Sequence, residues 1–381
     1  MKSRVPFAGW ILAFWLVLTL SGAAITLLTP RQAQSPFYSQ MIQAAELSAK
    51  CMDEIKQYKI DHGIGISPDD KLQTGMVGTG DLTAITTTDG LLDAKRTSCN
   101  PNWAAVYISM YVKAGLQKGD QVLFVFSGSF PALNLMAMVS AQVYGLQIYA
   151  MSGIGSSYYG ANNPDFTFFD MAEYLYGKGL LTHRLDLVSL GGDNDVGNDF
   201  YDEDVKQAIV SRIKSSGVAY LEEADYTKNI DARLRYVIDN VPSVAFMVNV
   251  GGSMVGMGKG SSAFIQSGYF RASYSKGNLS MMLNRSDGNM GMIGCMRAIG
   301  IPVASMLNIK KQASTYGLPF DPDEQFTIGQ GTAYYSNTYN LTLAYVTLGL
   351  SVIIAIFYFV MKKQYKAEID KDERNYILCR R

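Results

Sequence analysis

Two uncharged apolar runs stand near the ends of the chain, at residues 5–28 and 341–361. Because about 20 helical residues cross a bilayer core roughly 30 Å thick, each run is long enough to span a membrane. The alternative for the first run is a cleaved signal peptide, with small residues at 21–24, and for the second a buried core helix. Since the first run stays apolar as far as Leu28, the sequence favours an uncleaved anchor.

Between these runs, short apolar segments alternate with helical ones. The apolar segments at 121–126, 146–150, 185–190 and 244–248 each precede a Gly- or Ser-rich turn, and helical patterns separate them. This alternation predicts βαβ units and therefore an α/β fold, with a parallel sheet flanked by helices. A helix is predicted at 36–58, and loops with a short strand near 82–87 are predicted for residues 61–99.

Basic residues beside the apolar runs predict the orientation. Lys2 and Arg4 precede the first run, and Lys362, Lys363 and Lys366 follow the second. Since Lys and Arg are retained on the cytoplasmic side, both termini are expected in the cytoplasm. The predicted segments are a cytoplasmic N-terminus (1–4), a transmembrane anchor (5–28), an extracytoplasmic α/β domain (29–340), a transmembrane helix (341–361) and a basic cytoplasmic tail (362–381).

Composition and charge narrow the function. The 381 residues are 48% hydrophobic, and 33 Lys and Arg balance 33 Asp and Glu. This length supports a large core, while the zero net charge argues against a general nucleic-acid binder, which needs a basic face. With only two histidines in the chain, a multi-histidine metal centre is not expected.

The turns after the predicted strands offer backbone amides and hydroxyl groups to a ligand at the carboxyl edge of the sheet. In the first turn, Pro131 suits the first helical position, so free amides there would hold a carboxylate or phosphate. Its alternative is a plain helix cap by Ser129. The segment 251–260 matches neither the GxGxxG nor the GxxxxGK[ST] motif, but it places a lysine nearby as a countercharge. The candidate ligand-binding residues are Ser127, Gly128, Ser129, Ser156, Ser157, Asn162, Gly251, Gly252, Ser253 and Lys259.

Acidic residues alternate through 193–204 as they do in calcium-binding loops. The spacing differs from that of an EF-hand loop, which has glycine at the sixth position and glutamate at the twelfth. Here glycine is fifth and aspartate twelfth. The alternative is acidic capping of the helix predicted at 203–215. A divalent cation is the one cofactor that the sequence suggests, with Asp193, Asp195, Asp199 and Asp204 as candidate ligands.

Three cysteines fall in the predicted extracytoplasmic domain, where thiols can oxidise. A Cys51–Cys99 disulfide is the preferred pairing, because both residues lie in the N-terminal part of the domain and Cys295 lies in a predicted buried helix. A Cys99–Cys295 pair and three free thiols remain open as alternatives.

No catalytic constellation is recognisable in the sequence. The first Gly/Ser turn lacks the Gly-x-Ser-x-Gly elbow, and a triad would have to use His62 or His183. The enzyme hypothesis is an amide hydrolase or transferase that uses Ser127 or Ser129 with one of the aspartates at 193 and 195.

The combination of anchors and turns resembles a known family. The features that carry the resemblance are the two terminal anchors, the turn at 127–134, Asn162-Asn163-Pro164 and the glycine pairs at 191–192 and 251–252. With these features, the chain resembles the poly-gamma-glutamate system protein (PgsW-type) family of bacteria. The resemblance implies a membrane-anchored accessory protein of biosynthesis or export of this capsule-type anionic polymer. Its partners would be the membrane, other synthesis and export proteins and the polymer. The alternatives are an extracytoplasmic amide hydrolase or transferase acting on the polymer, and a sensor or transport component for a small anion.

Overall fold

Two units make up the chain, residues 1–34 with 335–381 and residues 35–334. The structure is a computed structural model that describes residues 8–241, 243–260, 267–271 and 278–378. The predicted N-terminal segment 1–4, the first residues of the anchor and the last three residues of the tail lie outside the described residues.

The terminal unit contains two helices and a two-stranded sheet. Its elements are α1 (Ala8–Leu28), β1 (Arg31–Gln34), β11 (Tyr335–Thr338) and α12 (Leu341–Leu378). β1 and β11 pair antiparallel over four residues each. The predicted tail continues the second apolar run as one helix as far as Leu378.

The two helices of this unit are long and apolar enough to cross a membrane, at Gly9–Leu28 and Leu341–Asp372. Only 6% of the apolar window of either helix is buried, whereas a core helix would be mostly buried. The helices also contact each other closely, because a Cβ added to Gly22 would lie 2.3 Å from Thr347 Cγ2. The predicted association with a membrane is therefore supported, and the core-helix alternative for the second run is not.

The larger unit is an α/β domain. Its strands are β2 (Thr86–Thr88), β3 (Gln121–Phe126), β4 (Gln147–Gly153), β5 (Ser156–Ser157), β6 (Leu187–Ser189), β7 (Ala219–Tyr220), β8 (Val244–Val250), β9 (Gly268–Phe270) and β10 (Val303–Met306). Its α-helices are α2 (Tyr38–Asp61), α3 (Leu92–Ser98), α4 (Trp103–Ala114), α5 (Pro131–Tyr144), α6 (Phe168–Gly177), α7 (Glu203–Ser216), α8 (Tyr226–Asn240), α9 (Met254–Met257), α10 (Met292–Ala298) and α11 (Ile309–Tyr316).

Within the described residues, seven strands form the central sheet in the order β7-β6-β4-β3-β8-β10-β9. Neighbouring strands run parallel except at one edge, where β9 pairs antiparallel with β10. β2 and β5 form a separate parallel pair. The predicted α/β fold with a mainly parallel sheet is confirmed.

Helices cover both faces of the sheet. Along β3, the buried residues Val122, Phe124 and Phe126 pack in one apolar cluster with α2, α4, α5 and α6, while Leu123 and Val125 pack in another with α8, α9 and α10. A strand that is buried on both faces has an unbroken apolar sequence, which explains why 121–126 is recognisable as a strand. The prediction of loops throughout 61–99 is wrong in part, because α3 forms near its end.

The predicted Cys51–Cys99 disulfide is not formed. Cys51, Cys99 and Cys295 are all free and buried. Cys99 Sγ donates a hydrogen bond to the Lys95 carbonyl oxygen at 3.3 Å, and burial raises the pKa of both Cys51 and Cys99 to about 12. Such protonated, buried thiols pack as small apolar side chains. The structure therefore has the three free thiols that the sequence left open, and Cys379 lies outside the described residues.

Truncation of the central strand tests this core. Phe124 is fully buried and stacks on Phe126, with ring centroids 5.4 Å apart. Phe124→Ala leaves a cavity and should lower the free energy of unfolding by about 3–5 kcal/mol. Chemical denaturation of the full chain in detergent micelles, followed by near-UV circular dichroism, measures the loss. Tyr201→Ala is the control, since this side chain is 64% exposed; similar losses in both variants would contradict the assigned core.

Candidate functional site

A cavity of about 710 Å³ lies at the carboxyl edge of the central sheet. From β3 the chain proceeds to β4, β6 and β7 on one side and then returns to β8 on the other, so the topological switch point lies between β3 and β8. Loops that diverge at such a point leave a crevice in which α/β proteins bind ligands. The loops after β3, β4, β6, β8 and β10 all line this cavity, together with α3 and the segment before it.

Half of the ten predicted ligand-binding residues lie in the cavity wall. They are Ser127, Ser129, Ser157, Gly252 and Ser253. They come from the turns after β3, β4 and β8, so the prediction that these turns meet at one edge of the sheet is confirmed.

Three other predicted residues allow the loops to approach each other. A Cβ at Gly128 would lie 2.4 Å from the Ile154 carbonyl oxygen, and Ser156 Oγ donates a hydrogen bond to the Gly128 carbonyl oxygen at 3.1 Å. Gly251 has a φ of +90°, and its Cβ would lie 2.3 Å from Ser127 Oγ. Any other residue at 251 would therefore be strained and would also clash.

The last two predicted residues are engaged outside the cavity wall. Asn162 is buried, and its Nδ2 donates to the Thr79 carbonyl oxygen at 3.0 Å. Lys259 Nζ donates to Asn194 Oδ1 at 2.7 Å and lies 4.7 Å from the centroid of the Tyr226 ring. Both side chains thus hold loops in place.

The predicted divalent-cation site is not formed, because no three of its four carboxylates lie close enough together to hold a metal ion. Asp199 Oδ1 accepts a hydrogen bond from the Asp193 backbone at 2.9 Å, Asp195 is buried, and Asp204 lies in the first turn of α7. In the part of the chain that the structure describes, no three His, Cys, Asp or Glu side chains are placed to hold a metal ion. Asp202 caps α7 by accepting from a backbone N–H at 3.1 Å, in agreement with the alternative of acidic capping.

A buried ion pair fixes the acidic turn. Arg233, which is 1% exposed, places Nη2 2.5 Å from Asp195 Oδ2. Ser189 Oγ accepts from Arg233 and donates to Asp195, both at 2.8 Å, while Asn229 Nδ2 donates to Asp195 at 2.9 Å. Buried charges are tolerated when they are paired and hydrogen-bonded in this way. The pair also holds Asn194 and Asp195 at φ of +51° and +66°, a region that is unfavourable for residues other than glycine.

Lys95 is one of three basic cavity residues that were not predicted from the sequence, together with Arg233 and Lys310. Its side chain is almost completely buried, and Nζ donates to the Ser129 carbonyl oxygen and, at 2.7 Å, to Ser157 Oγ. Nζ also lies 4.0 Å from the centroid of the Phe130 ring. Burial lowers the pKa of Lys95 from 10.5 to about 7, with Cys99 acting weakly in the opposite direction. A large fraction of this amine is therefore neutral near pH 7. A lone lysine in a segment predicted as loops carries no sequence signal of burial.

The cavity wall carries charges of both signs besides the buried ion pair. Lys310 is exposed, and its Nζ lies 5.1 Å from the centroid of the Phe320 ring. The remaining charged residues of the wall are Asp89, Asp93, Asp193, Asp199 and Lys95. The site can therefore meet both a carboxylate and an ammonium group of one ligand.

Comparison with known proteins leaves the function open. No protein-family model, no curated protein and no solved structure matches the chain. The function is therefore inferred from the cavity and the apolar helices.

Removal of the buried arginine tests the support of the acidic turn. Arg233→Ala leaves the buried Asp195 carboxylate without its charged partner and should lower the free energy of unfolding by about 3–5 kcal/mol. Thermal denaturation of the full chain in micelles measures the loss, and limited proteolysis should show new cleavage within 191–199. Lys206→Ala is the control, because it breaks a surface pair with Glu203 and should cost less than about 1 kcal/mol. Equal stability of the two variants would contradict a supporting role for Arg233.

Proposed function

We propose that this chain is a membrane-anchored accessory protein of poly-gamma-glutamate biosynthesis or export, and that its α/β domain lies outside the cytoplasm and binds the polymer. The observation that carries the proposal is the cavity at the switch point, with hydroxyl groups and a lysine in its wall. The two apolar helices support an association with the membrane. The resemblance in the turn motifs supports the identity of the polymer and a partnership with other synthesis or export proteins.

The wall groups suit an amide-linked chain of carboxylates. The hydroxyl groups of Ser129 and Ser253 each accept from one backbone N–H and keep a hydrogen that can be donated to a carboxylate. Ser127 Oγ donates to the Val250 carbonyl oxygen and keeps a lone pair that can accept from an amide N–H. Lys310, exposed in the same wall, supplies a cation for a carboxylate. A volume of about 710 Å³ is typical of sites for small molecules, so it takes a few residues of a polymer.

The acidic side chains in the wall favour one end of the polymer. The carboxylates of a passing polyanion are repelled by the aspartates of the wall, which are Asp89, Asp93, Asp193 and Asp199. This repulsion acts over about 8 Å, the screening length at physiological ionic strength. The same aspartates attract the free ammonium group at the amino end, where the terminal glutamate carries both charges. The cavity therefore binds the chain end in preference to the middle of the polymer.

The direction of both helices can be tested by labelling introduced cysteines in intact cells. In a Cys379→Ser background, Leu82→Cys places an exposed thiol in the α/β domain, and Asn375→Cys places one beyond the second apolar helix. A membrane-impermeant maleimide should label Leu82→Cys in intact cells and Asn375→Cys only after permeabilisation, because basic flanks stay in the cytoplasm. The reverse pattern would contradict the proposed location.

Binding can be tested with short γ-linked glutamate oligomers and the full chain in detergent micelles. Titration calorimetry should detect binding that weakens with added salt, and Lys310→Met should raise the Kd about tenfold through loss of one charged contact. Oligomers with an acetylated amino end should bind more weakly, since they lack the ammonium group.

Lys228→Met is the control for this experiment, because Lys228 is exposed and lies outside the cavity wall. It should leave the Kd unchanged. Absence of binding to the wild-type chain would contradict the polymer-binding role, and equal binding of acetylated oligomers would contradict the preference for the chain end.

A further inference from the structure

A serine and a lysine form a buried pair in the wall of the cavity. Ser157 Oγ lies 2.7 Å from Lys95 Nζ, and the two residues are 5% and 2% exposed. Both line the cavity. The pair is thus shielded from bulk water and still faces the space where a ligand would lie.

The surrounding backbone fixes both partners. Ser157 ends β5, and its N–H donates to Ser129 Oγ at 3.0 Å, while the next residue donates its N–H to the Thr88 carbonyl oxygen at 3.1 Å. Lys95 reaches across from α3 and donates to the Ser129 carbonyl oxygen. The loops after β3 and β4 therefore both bind Lys95, which keeps the Ser157 hydroxyl group next to the lysine amine.

The surroundings of Lys95 differ from those of a lysine with a structural role. Lys59 is also buried; it donates to the Gly75 carbonyl oxygen at 2.7 Å, burial lowers its pKa to about 8, and the nearby Asp70 carboxylate partly offsets that effect. Neither lysine forms an ion pair in the described ranges, but Lys95 has a serine hydroxyl as its partner and no carboxylate that raises its pKa. A buried lysine with a hydroxyl partner and without a countercharge is costly for stability and is characteristic of sites that move protons.

We propose that Ser157 is a nucleophile and Lys95 its general base, and that the domain cleaves or transfers an amide-linked acyl group in this cavity. The inference rests on the proposed function, since the bound polymer end supplies the amide. It also replaces the serines that the sequence suggested: Ser127 Oγ points to the Val250 carbonyl oxygen at 3.4 Å, and Ser129 Oγ accepts the Ser157 N–H.

The chemistry proceeds in two balanced steps. In the first, Ser157 Oγ forms a bond to the amide carbonyl carbon, its proton passes to Lys95 Nζ, the C–N bond breaks and the leaving nitrogen takes up that proton. The products are an amine and an acyl ester on Ser157. In the second, a water molecule or an acceptor amine attacks the ester carbonyl and gives its proton to Lys95, which returns it to the departing Ser157 Oγ. Water yields a carboxylic acid, and an amine yields a new amide.

The lowered pKa of Lys95 sets the pH dependence. The neutral amine is the active form, so its fraction rises about tenfold between pH 6 and pH 8 for a pKa of about 7. Activity should therefore rise through pH 7 and level off above it. The charged groups that line the cavity with Lys95 are Asp89, Asp93, Asp193, Asp195, Asp199, Arg233 and Lys310. Arg96 and Cys99 lie on or directly after α3, and Lys311 lies on α11, which contacts α3.

The nucleophile can be identified with a fluorophosphonate probe, which phosphonylates activated serines with loss of fluoride. The full chain in micelles is incubated with the probe, and the adduct is located by mass spectrometry. We expect the adduct on Ser157, with a labelling rate that increases about tenfold from pH 6 to pH 8. Ser157→Ala should abolish the adduct, and Lys95→Met should slow labelling at least tenfold. Ser48→Ala is the matched control, because Ser48 is buried in α2 away from the cavity and should leave the rate unchanged.

Two further measurements distinguish failure of the proposed dyad from failure of the proposed binding role. Near-UV circular dichroism and oligomer binding report folding and the proposed binding role in each variant, and chromatography of γ-linked oligomers reports shortening or new linkage. A wild-type chain that binds oligomers but is not labelled at Ser157 would overturn the dyad and leave the binding role intact. If the variants fail to fold, a labelling rate of the wild-type chain that is independent of pH between 6 and 8 would overturn it equally. A chain that is labelled at Ser157 but does not bind oligomers would support the dyad and contradict the polymer as its substrate.

Discussion

The parallel pairing of β3 with β8 is the constraint on which the site depends. Phe126 at the end of β3 stands beside Val250 at the end of β8, and both are buried. The two loops therefore start side by side and must diverge, which opens the cavity. Ser127 and Gly251 follow directly, so closely that a Cβ at 251 would lie 2.3 Å from the present position of Ser127 Oγ. The position of the cavity is thus a consequence of strand order and of packing on both faces of the sheet.

Two cationic side chains are buried in this wall, and they differ in what compensates them. Arg233 has a carboxylate, a hydroxyl and an amide around its guanidinium, so its charge is fully paired and the arginine fixes a loop. Lys95 has a carbonyl oxygen, a hydroxyl and the face of Phe130. These partners stabilise a buried ammonium group less than a carboxylate would, so the loss of hydration favours the neutral amine. The first charge therefore gives rigidity, while the second gives a group that can take up and release a proton near neutral pH.

The strands and the two long apolar helices are the most predictable parts of the molecule, because each depends on a local run of apolar residues. The predicted strand at 121–126 coincides with β3, and the helix predicted at 203–215 coincides with α7 to within one residue. The serines of the turns were also accessible to sequence analysis, since Gly- and Ser-rich turns follow apolar runs.

What could not be predicted depends on contacts between distant residues. Arg233 is 38 residues from Asp195, and only the packing of α8 shows that the aspartate belongs to an ion pair and not to a cation site. Lys95 is 62 residues from Ser157 and lies in a helix of seven residues with no clear apolar period. The free state of Cys51 and Cys99 likewise depends on how α2 and α3 pack. The turns of such a site can be located from the sequence pattern. The groups that would transfer protons can be identified only from the fold, because the fold brings them together.

In each of the two units, segments that are distant in the sequence lie side by side. The Ser35 N–H donates to the Tyr334 carbonyl oxygen at 2.9 Å, so the first and last residues of the domain are adjacent. In the terminal unit, β1 and β11 pair and α1 packs on α12. In both units, therefore, backbone hydrogen bonds join residues from near opposite ends of the chain.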